Sequence, residues 1–354
     1  MQREITGGGP LLDGEGRLSQ RGYAHSLLLD YRRDAIKAPA WRIKEWDYYL
    51  ISDGRKGLAL TLADNAYMGL VSVSALDFEA AREKTSSLIL PFTWGKMGLP
   101  ESSRRGDAAY KNGRADFRFA NNGEKRRLQV SFLAFDQAGG KPVNLEADII
   151  LTEEPRDSLV IATPFPENPR AFYYNQKIIG QRAQGWVRLS GPGLEKPREF
   201  RFDPEDSFGL LDWGRGVWTY DNTWYWGAAM GLIGGRPFGF NIGGGFGDTS
   251  AASENMLFYD GQGHKLEEVR FLIPRKPDGG EDYLSPWRFA SSDGRLELDF
   301  RPCLDRAAKT GFGPLLSDQH QVFGHFSGQV ILDDGQRLQL NDFFGFAEKV
   351  RNKW

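Results

Sequence analysis

The sequence predicts an all-β protein made of two barrel-like halves. Three observations predict it: a hairpin grammar repeated along the chain, a two-residue beat of apolar residues, and 43 glycines together with 13% aromatics. Glycine permits tight turns and strand bends, and aromatic side chains favour pleated surfaces.

Five hairpins follow in order. Trp46–Ser52 reads as a strand, Asp53-Gly54 as a turn, and Gly57–Leu62 as the returning strand. Asp116–Ala120 and Arg127–Phe135 flank the turn Asn121-Asn122-Gly123. Leu257–Tyr259 and Leu266–Ile273 flank Asp260-Gly261, and Trp287–Ala290 and Leu296–Phe300 flank Asp293-Gly294. Phe323–Leu332 and Arg337–Leu340 flank Asp333-Asp334-Gly335. Asp-Gly and Asn-Gly suit the left-handed backbone of tight hairpins. In Leu296-Glu297-Leu298-Asp299-Phe300 the apolar residues share one face and the acids the other. Helical periods are scarce; Ala75–Glu83 and Asp342–Arg351 are the two expected short helices. Three prolines in Thr163–Pro169 resist helix and central strand, and place a domain boundary there: residues 1–168 and 169–354.

At 354 residues the chain has room for two domains of roughly 150 residues each. Forty-five basic against 47 acidic residues leave a net charge of −2, too little to draw the chain to nucleic acid. No apolar run approaches the ~20 residues of a membrane span, and no apolar core follows the early charges as in a signal peptide. The single cysteine, Cys303, reads as a buried structural thiol, and disulfide-free folding agrees with a cytoplasmic location. The glycine-rich Gly243–Asp248 lacks the Gly-Lys-Ser/Thr ending of a phosphate loop. No G-x-S-x-G, H-E-x-x-H or paired C-x-x-C occurs, so neither a serine-hydrolase elbow nor a standard zinc site is expected. Lys125-Arg126-Arg127 flanks a hairpin turn and reads as solvated. No cofactor and no metal are expected.

The informative segments lie downstream. They are Gly209-Leu210-Leu211-Asp212-Trp213-Gly214-Arg215-Gly216-Val217-Trp218, then Trp224-Tyr225-Trp226-Gly227, then Gly243–Asn255, His320–Gly328 and Gly345-Phe346-Ala347-Glu348. They resemble the DUF2804 family of uncharacterised proteins over most of the chain, most specifically from Tyr173 to Glu348. That family is similar to tandem lipocalin-like proteins, among them carotenoid 1,2-hydratases and AttH-like proteins. The similarity to the hydratases rests chiefly on the Gly185-Trp186-Val187 strand and the Asp212-Trp213 pair. The family resemblance implies two consecutive lipocalin-like antiparallel β-barrels with a hydrophobic-ligand pocket. In the hydratase relatives acidic groups protonate an isoprenoid double bond without a cofactor.

The residues themselves place the candidate pocket in the C-terminal half. Trp213, Trp218, Trp224, Trp226 and Trp287 supply flat apolar area, with an indole N–H to satisfy. On a regular strand Asp212, Gly214, Gly216 and Trp218 share one face, and Trp213, Arg215 and Val217 the other. The glycines leave space beside Asp212, whose carboxyl works as an acid if desolvation raises its pKa. The alternative is a tightly packed strand whose glycines admit neighbouring tryptophans, with Asp212 in an ion pair. Asp248, Glu254 and Asn255 form a second polar cluster, with Arg215 as counter-ion to Asp248 or Glu254; capping by Ser and Thr at that bend is the plainer reading. His320 is either a proton shuttle or a satisfied, partly buried histidine, and its odd spacing from His325 disfavours a shared metal. His25 and His264 show no ligand spacing, and His264 is expected to be solvated.

Three functions compete. The first is a barrel that binds a lipid or isoprenoid-like apolar molecule. The second is acid–base catalysis on an apolar substrate, such as hydration, isomerisation or cyclisation, with Asp212 as main acid and Glu254 and His320 assisting. The third is a ligand-free structural role, which requires filled barrels. Oligomeric state is left open, as is whether the first half is a full barrel or a lid.

Overall fold

The computed structural model describes residues 2–313 and 315–353. Strands dominate, and among these residues no α-helix occurs; the only helical turns are the 3-10 turns Arg33–Ala35 and Ala40–Arg42. Both expected helices are strand. Ala75–Glu83 is a hairpin: the strand Met68–Asp77 ends, Asp77 Oδ1 accepts the N–H of Ala80, Ala81 takes φ +49°, and Arg82–Pro91 returns. Asp342–Arg351 lies within the strand Arg337–Lys353, which is paired on both sides. Two-sided pairing there overrides local helical preference.

Two large antiparallel sheets follow one another. The first runs, edge to edge, Arg82–Pro91, Met68–Asp77, Lys56–Asp64, Ile43–Ser52, Phe208–Val217, Asn168–Ser190, Lys141–Thr152, Arg126–Ala138, Ala115–Asn121 and Ala108–Lys111. Its edges curl toward each other, and Ser86 Oγ of one edge strand donates to the Phe135 carbonyl near the other. The second runs Gln262–Lys265, Met256–Tyr259, Arg236–Gly244, Asp221–Ile233, Arg337–Lys353, Leu315–Ile331, Leu296–Phe312, Trp287–Ser291 and Val269–Leu272. The fold is therefore all-β, with two consecutive curled antiparallel sheets.

Four of the five hairpins form as the turn residues dictate. At the other, Asp260 (φ +50°) and Gly261 (φ +79°) make the turn, and the partner of Met256–Tyr259 is Gln262–Lys265. The chain continues to Val269–Leu272, which joins Trp287–Ser291 at the opposite edge. The three prolines of Thr163–Pro169 sit at the hairpin between Leu159–Phe165 and Asn168–Ser190, inside the first sheet. The passage from one sheet to the other falls between Val217 and Asp221.

Each barrel is filled. Leu58, Leu60, Val71, Val73, Phe117 and Phe132 are among the fully buried residues of the first. Phe240, Trp287, Phe289, Phe300, Phe326 and Leu340 fill the second. Bulky aromatics occupy the interior of the second sheet, and the candidate pocket is lined by both sheets, with Tyr173, Asp212, Trp218, Trp224, Trp226 and Glu254 coming from the expected C-terminal half. The open space lies between the two sheets instead, where Phe78 of the first meets Phe323 and Phe344 of the second at ring distances of 4.9 and 4.5 Å. Among the described residues no helix is long and apolar enough to cross a membrane.

Candidate functional site in the cleft between the sheets

Two cross-strand rows face each other across the seam. In the first sheet Thr61, Tyr48, Asp212 and Lys177 are direct ladder partners on four adjacent strands. In the second, Arg306, Gln321, Glu348 and Trp226 form the matching row. Direct partners on a ladder project to the same face, so each row presents its side chains to the other. The Tyr48 hydroxyl donates to Gln321 Oε1 (3.3 Å), and Lys177 Nζ lies 3.9 Å from the centre of the Trp226 ring. The rows line a cleft of about 200 Å³, completed by Trp46, Tyr173, Trp218, Trp224, Phe246 and Glu254.

Asp212 is buried and pairs with Lys177 Nζ at 2.9 Å, while Asn175 Nδ2 donates to the same oxygen at 2.6 Å. The space that Gly214 and Gly216 were expected to leave beside it is occupied. A Cβ on Gly214 would stand 1.9 Å from the Trp46 ring, so the glycine exists to admit that indole. Trp46 in turn stacks on Tyr173 (5.9 Å) and meets Trp218 edge-on (5.1 Å), forming one aromatic wall.

Glu254 comes from the loop before Met256. Asn241 Nδ2 donates to its carbonyl, and the Gly243 N–H donates to Asn255 Oδ1, which pins the loop. Its side chain lies over Gly243, where a Cβ would approach to 3.3 Å. Burial pushes its carboxyl up to about 7; Asp212 adds to this, while Lys177 and Lys265 oppose it. Among the described residues no group donates a hydrogen bond to that carboxyl. Glu348 is also pushed up to about 7 by burial, against the pull of Arg306, Lys177 and the Trp224 indole. Unlike Glu254 it receives two donors, Trp224 Nε1 and Gln321 Nε2, each at 3.3 Å. Donors favour the carboxylate and their lack favours the acid. Burial also raises the phenols of Tyr48 and Tyr173, so both stay neutral.

The structure thus brings together Asp212, Glu254, Trp218, Trp224 and Trp226 of the residues singled out in the sequence. It separates the others. Trp213 and Arg215 point the opposite way, into the first barrel, where Arg215 lies 4.3 Å over the Trp213 ring and pairs with Asp47 at 3.0 Å. Arg215 is therefore counter-ion to neither Asp248 nor Glu254. Asp248 accepts the N–H of Ser250, a capping role. Asn255 is spent on Gly243 and the Glu267 carbonyl. Trp287 is core of the second barrel, its indole bonded to the Tyr283 carbonyl. His320 faces away from the cleft, bonded to Asp305 (2.8 Å) and stacked on Tyr283 at 3.8 Å. His264 is buried against Asp333, not solvated, and Arg126 is buried and bonded to Ser103 and Glu154 rather than lying in a solvated turn.

Lys177, Glu348, Arg306, Tyr48 and Trp46 are among the cleft residues that the sequence does not mark as site residues. Glu348 carried a signal: Phe344, Phe346, Glu348 and Val350 share one strand face, and an acid on an otherwise apolar face is conspicuous. Reading that segment as helix hides it.

A model of the domain of unknown function DUF2804 matches residues 2–354. The chain belongs to the DUF2804 family. No curated protein matches it. Among solved structures, the AttH protein of Nitrosomonas europaea superposes with TM-score 0.52 at 14% identity, covering 91% of this chain and 96% of that one. Kievitone hydratase from Nectria haematococca gives 0.47 at 14% identity, covering 100% and 98%. CghA gives 0.48 at 12% identity, covering 98% and 97%. The likeness to AttH shows a shared fold over nearly the whole length of both chains.

Proposed function

We propose that the cleft binds an apolar small molecule and acts on it by side-chain acid–base chemistry. The observation that carries the reading is the pair of buried carboxyls, Glu254 and Glu348, both pushed up to about 7 and both facing one aromatic cavity. A carboxyl with such a pKa works as acid or base near neutrality. Glu254, without donors, is the acid. Glu348, held by Trp224 and Gln321, is the base.

On an unsaturated substrate the Glu254 proton adds to one alkene carbon, and the neighbouring carbon becomes cationic beside the indole faces. Aromatic faces stabilise such a cation. A water molecule then adds to it and gives its proton to Glu348, for a net addition of water. Proton transfer back to Glu254 restores the site, and loss of a neighbouring proton instead of water addition gives isomerisation. Asp212 is not the acid in this reading; it neutralises Lys177 and fixes it over Trp226. The cavity of about 200 Å³ suits a single ring or a short isoprenoid stretch, since about 150 Å³ already admits benzene. Binding without turnover is the second reading, favoured by the continuous aromatic wall of Trp46, Tyr173, Trp218 and Phe246.

The test incubates the protein with a panel of isoprenoid and aryl alkenes in D2O and follows product masses. Deuterium on carbon or added water, lost in Glu254→Gln and Glu348→Gln, supports catalysis. Quenching of tryptophan fluorescence by the panel without mass change supports binding alone. Neither signal with any compound overturns both readings.

A further inference from the structure

Among the described residues lining the cleft, Arg306 is a cation with no carboxylate at ion-pair distance, its charged counterpart being the more distant Glu348 carboxyl. Arg306 stands in the second-sheet row, half-buried, with Nη1 bonded to Ser74 Oγ of the first sheet at 2.9 Å. The other charged and titratable groups lining the cleft are Lys177, Asp212, Glu254, Glu348, Tyr48 and Tyr173. Lys177 and Asp212 cancel at 2.9 Å. Burial holds both tyrosines neutral, and holds both glutamic acids largely neutral below about pH 7. A guanidinium keeps its charge at any accessible pH and presents a planar fork suited to an acidic oxygen group. A partly desolvated cation without a counter-ion is costly, and a ligand anion removes that cost.

We infer that the occupant of the cleft is an amphipathic anion, an apolar body of one or two fused rings that bears one carboxylate or similar acidic oxygen group held by Arg306. The inference rests on the binding reading above and adds to it the polarity of the ligand and its direction. The acidic group sits at the Arg306–Gln321 end of the row, and the apolar body lies toward Trp224 and Trp226. This orientation sets the ligand alongside Glu348 and Glu254 rather than end-on to them.

The experiment compares 2-naphthoate with methyl 2-naphthoate, one apolar body with and without the charge, by tryptophan quenching on the full chain at pH 6. Naphthoate is expected to bind at least about tenfold tighter, as a charge-assisted hydrogen bond would provide. Arg306→Gln should abolish that preference by weakening naphthoate more than the ester, and Arg306→Lys should keep part of it. Raising the pH to 9 ionises Glu254 and Glu348 and should weaken naphthoate but not the ester. If Arg306→Gln folds poorly, the pH arm and the lysine variant still decide. Equal binding of the two ligands, or a preference that survives Arg306→Gln, overturns the anion inference while the cleft reading stands. Binding of neither ligand removes both.

Discussion

Replacing Asp212 by asparagine isolates the electrostatics of the cleft. The side chains of Lys177 and Asp212 are 3% and 10% exposed and 2.9 Å apart, so neither charge has water to fall back on. The substitution keeps the shape and removes the negative charge. Lys177 is then left as a buried ammonium supported by the Trp226 ring and, at longer range, by the carboxyls of Glu254 and Glu348. Removing one partner of a buried pair costs about 3–5 kcal/mol, whereas removing both together is often nearly neutral. Asp212→Asn and Lys177→Met should therefore each destabilise the protein by about 3–5 kcal/mol. The double variant should cost far less than their sum, a coupling of about 3 kcal/mol or more. Urea denaturation at pH 7, followed by tryptophan fluorescence, measures all four corners of the cycle. A loss below about 1 kcal/mol for Asp212→Asn, or strictly additive losses, would refute the argument that this pair is desolvated and mutually dependent.

Three further outcomes are expected. Glu254 and Glu348 are harder to ionise in the folded chain than in the unfolded one, where 4.5 is ordinary. Their stabilising contribution is complete below about pH 4.5, fades as pH rises to about 7, and is gone above it. The span is worth roughly 3 kcal/mol for each group. Glu254→Gln should then be more stable than the parent chain at pH 8 but not at pH 5, by thermal melts at both. Gly214→Ala drives a methyl into the Trp46 ring and should cost about 1–3 kcal/mol, with a changed tryptophan emission spectrum. Trp287→Ala empties part of the second core and should cost about 3–5 kcal/mol, while leaving cleft affinity for 2-naphthoate within twofold.

The all-β class and four of five hairpins were legible because turn chemistry and strand alternation are local. Asp260-Gly261 was read correctly as a turn, yet its returning strand was placed beyond Gln262–Lys265 because Leu266–Ile273 is the more apolar stretch. The site was legible only in part. Asp212, Glu254 and the indoles of Trp218, Trp224 and Trp226 stood out as acids and aromatics among glycines. Their setting did not, because it depends on the facing of two sheets. Nothing local to Lys177 or Arg306 says that one meets Asp212 and the other reaches Ser74 of the first sheet. The same limit put Trp213 and Arg215 in the pocket, where the two-residue beat correctly separates them from Asp212 but cannot say which face is the core. The glycines at 214 and 216 were read both as space and as sockets for tryptophan; the Trp46 ring at Gly214 decides for the socket.

The most direct test is a pH titration of the chain labelled with 13C at the glutamate side-chain carboxyls, with Glu254→Gln and Glu348→Gln assigning the two resonances. Two carboxyls should stay protonated to near neutrality, with midpoints at about 7. If all glutamates instead titrate between about 4 and 5, the cleft holds two ordinary carboxylates, and the proton chemistry assigned to it is contradicted.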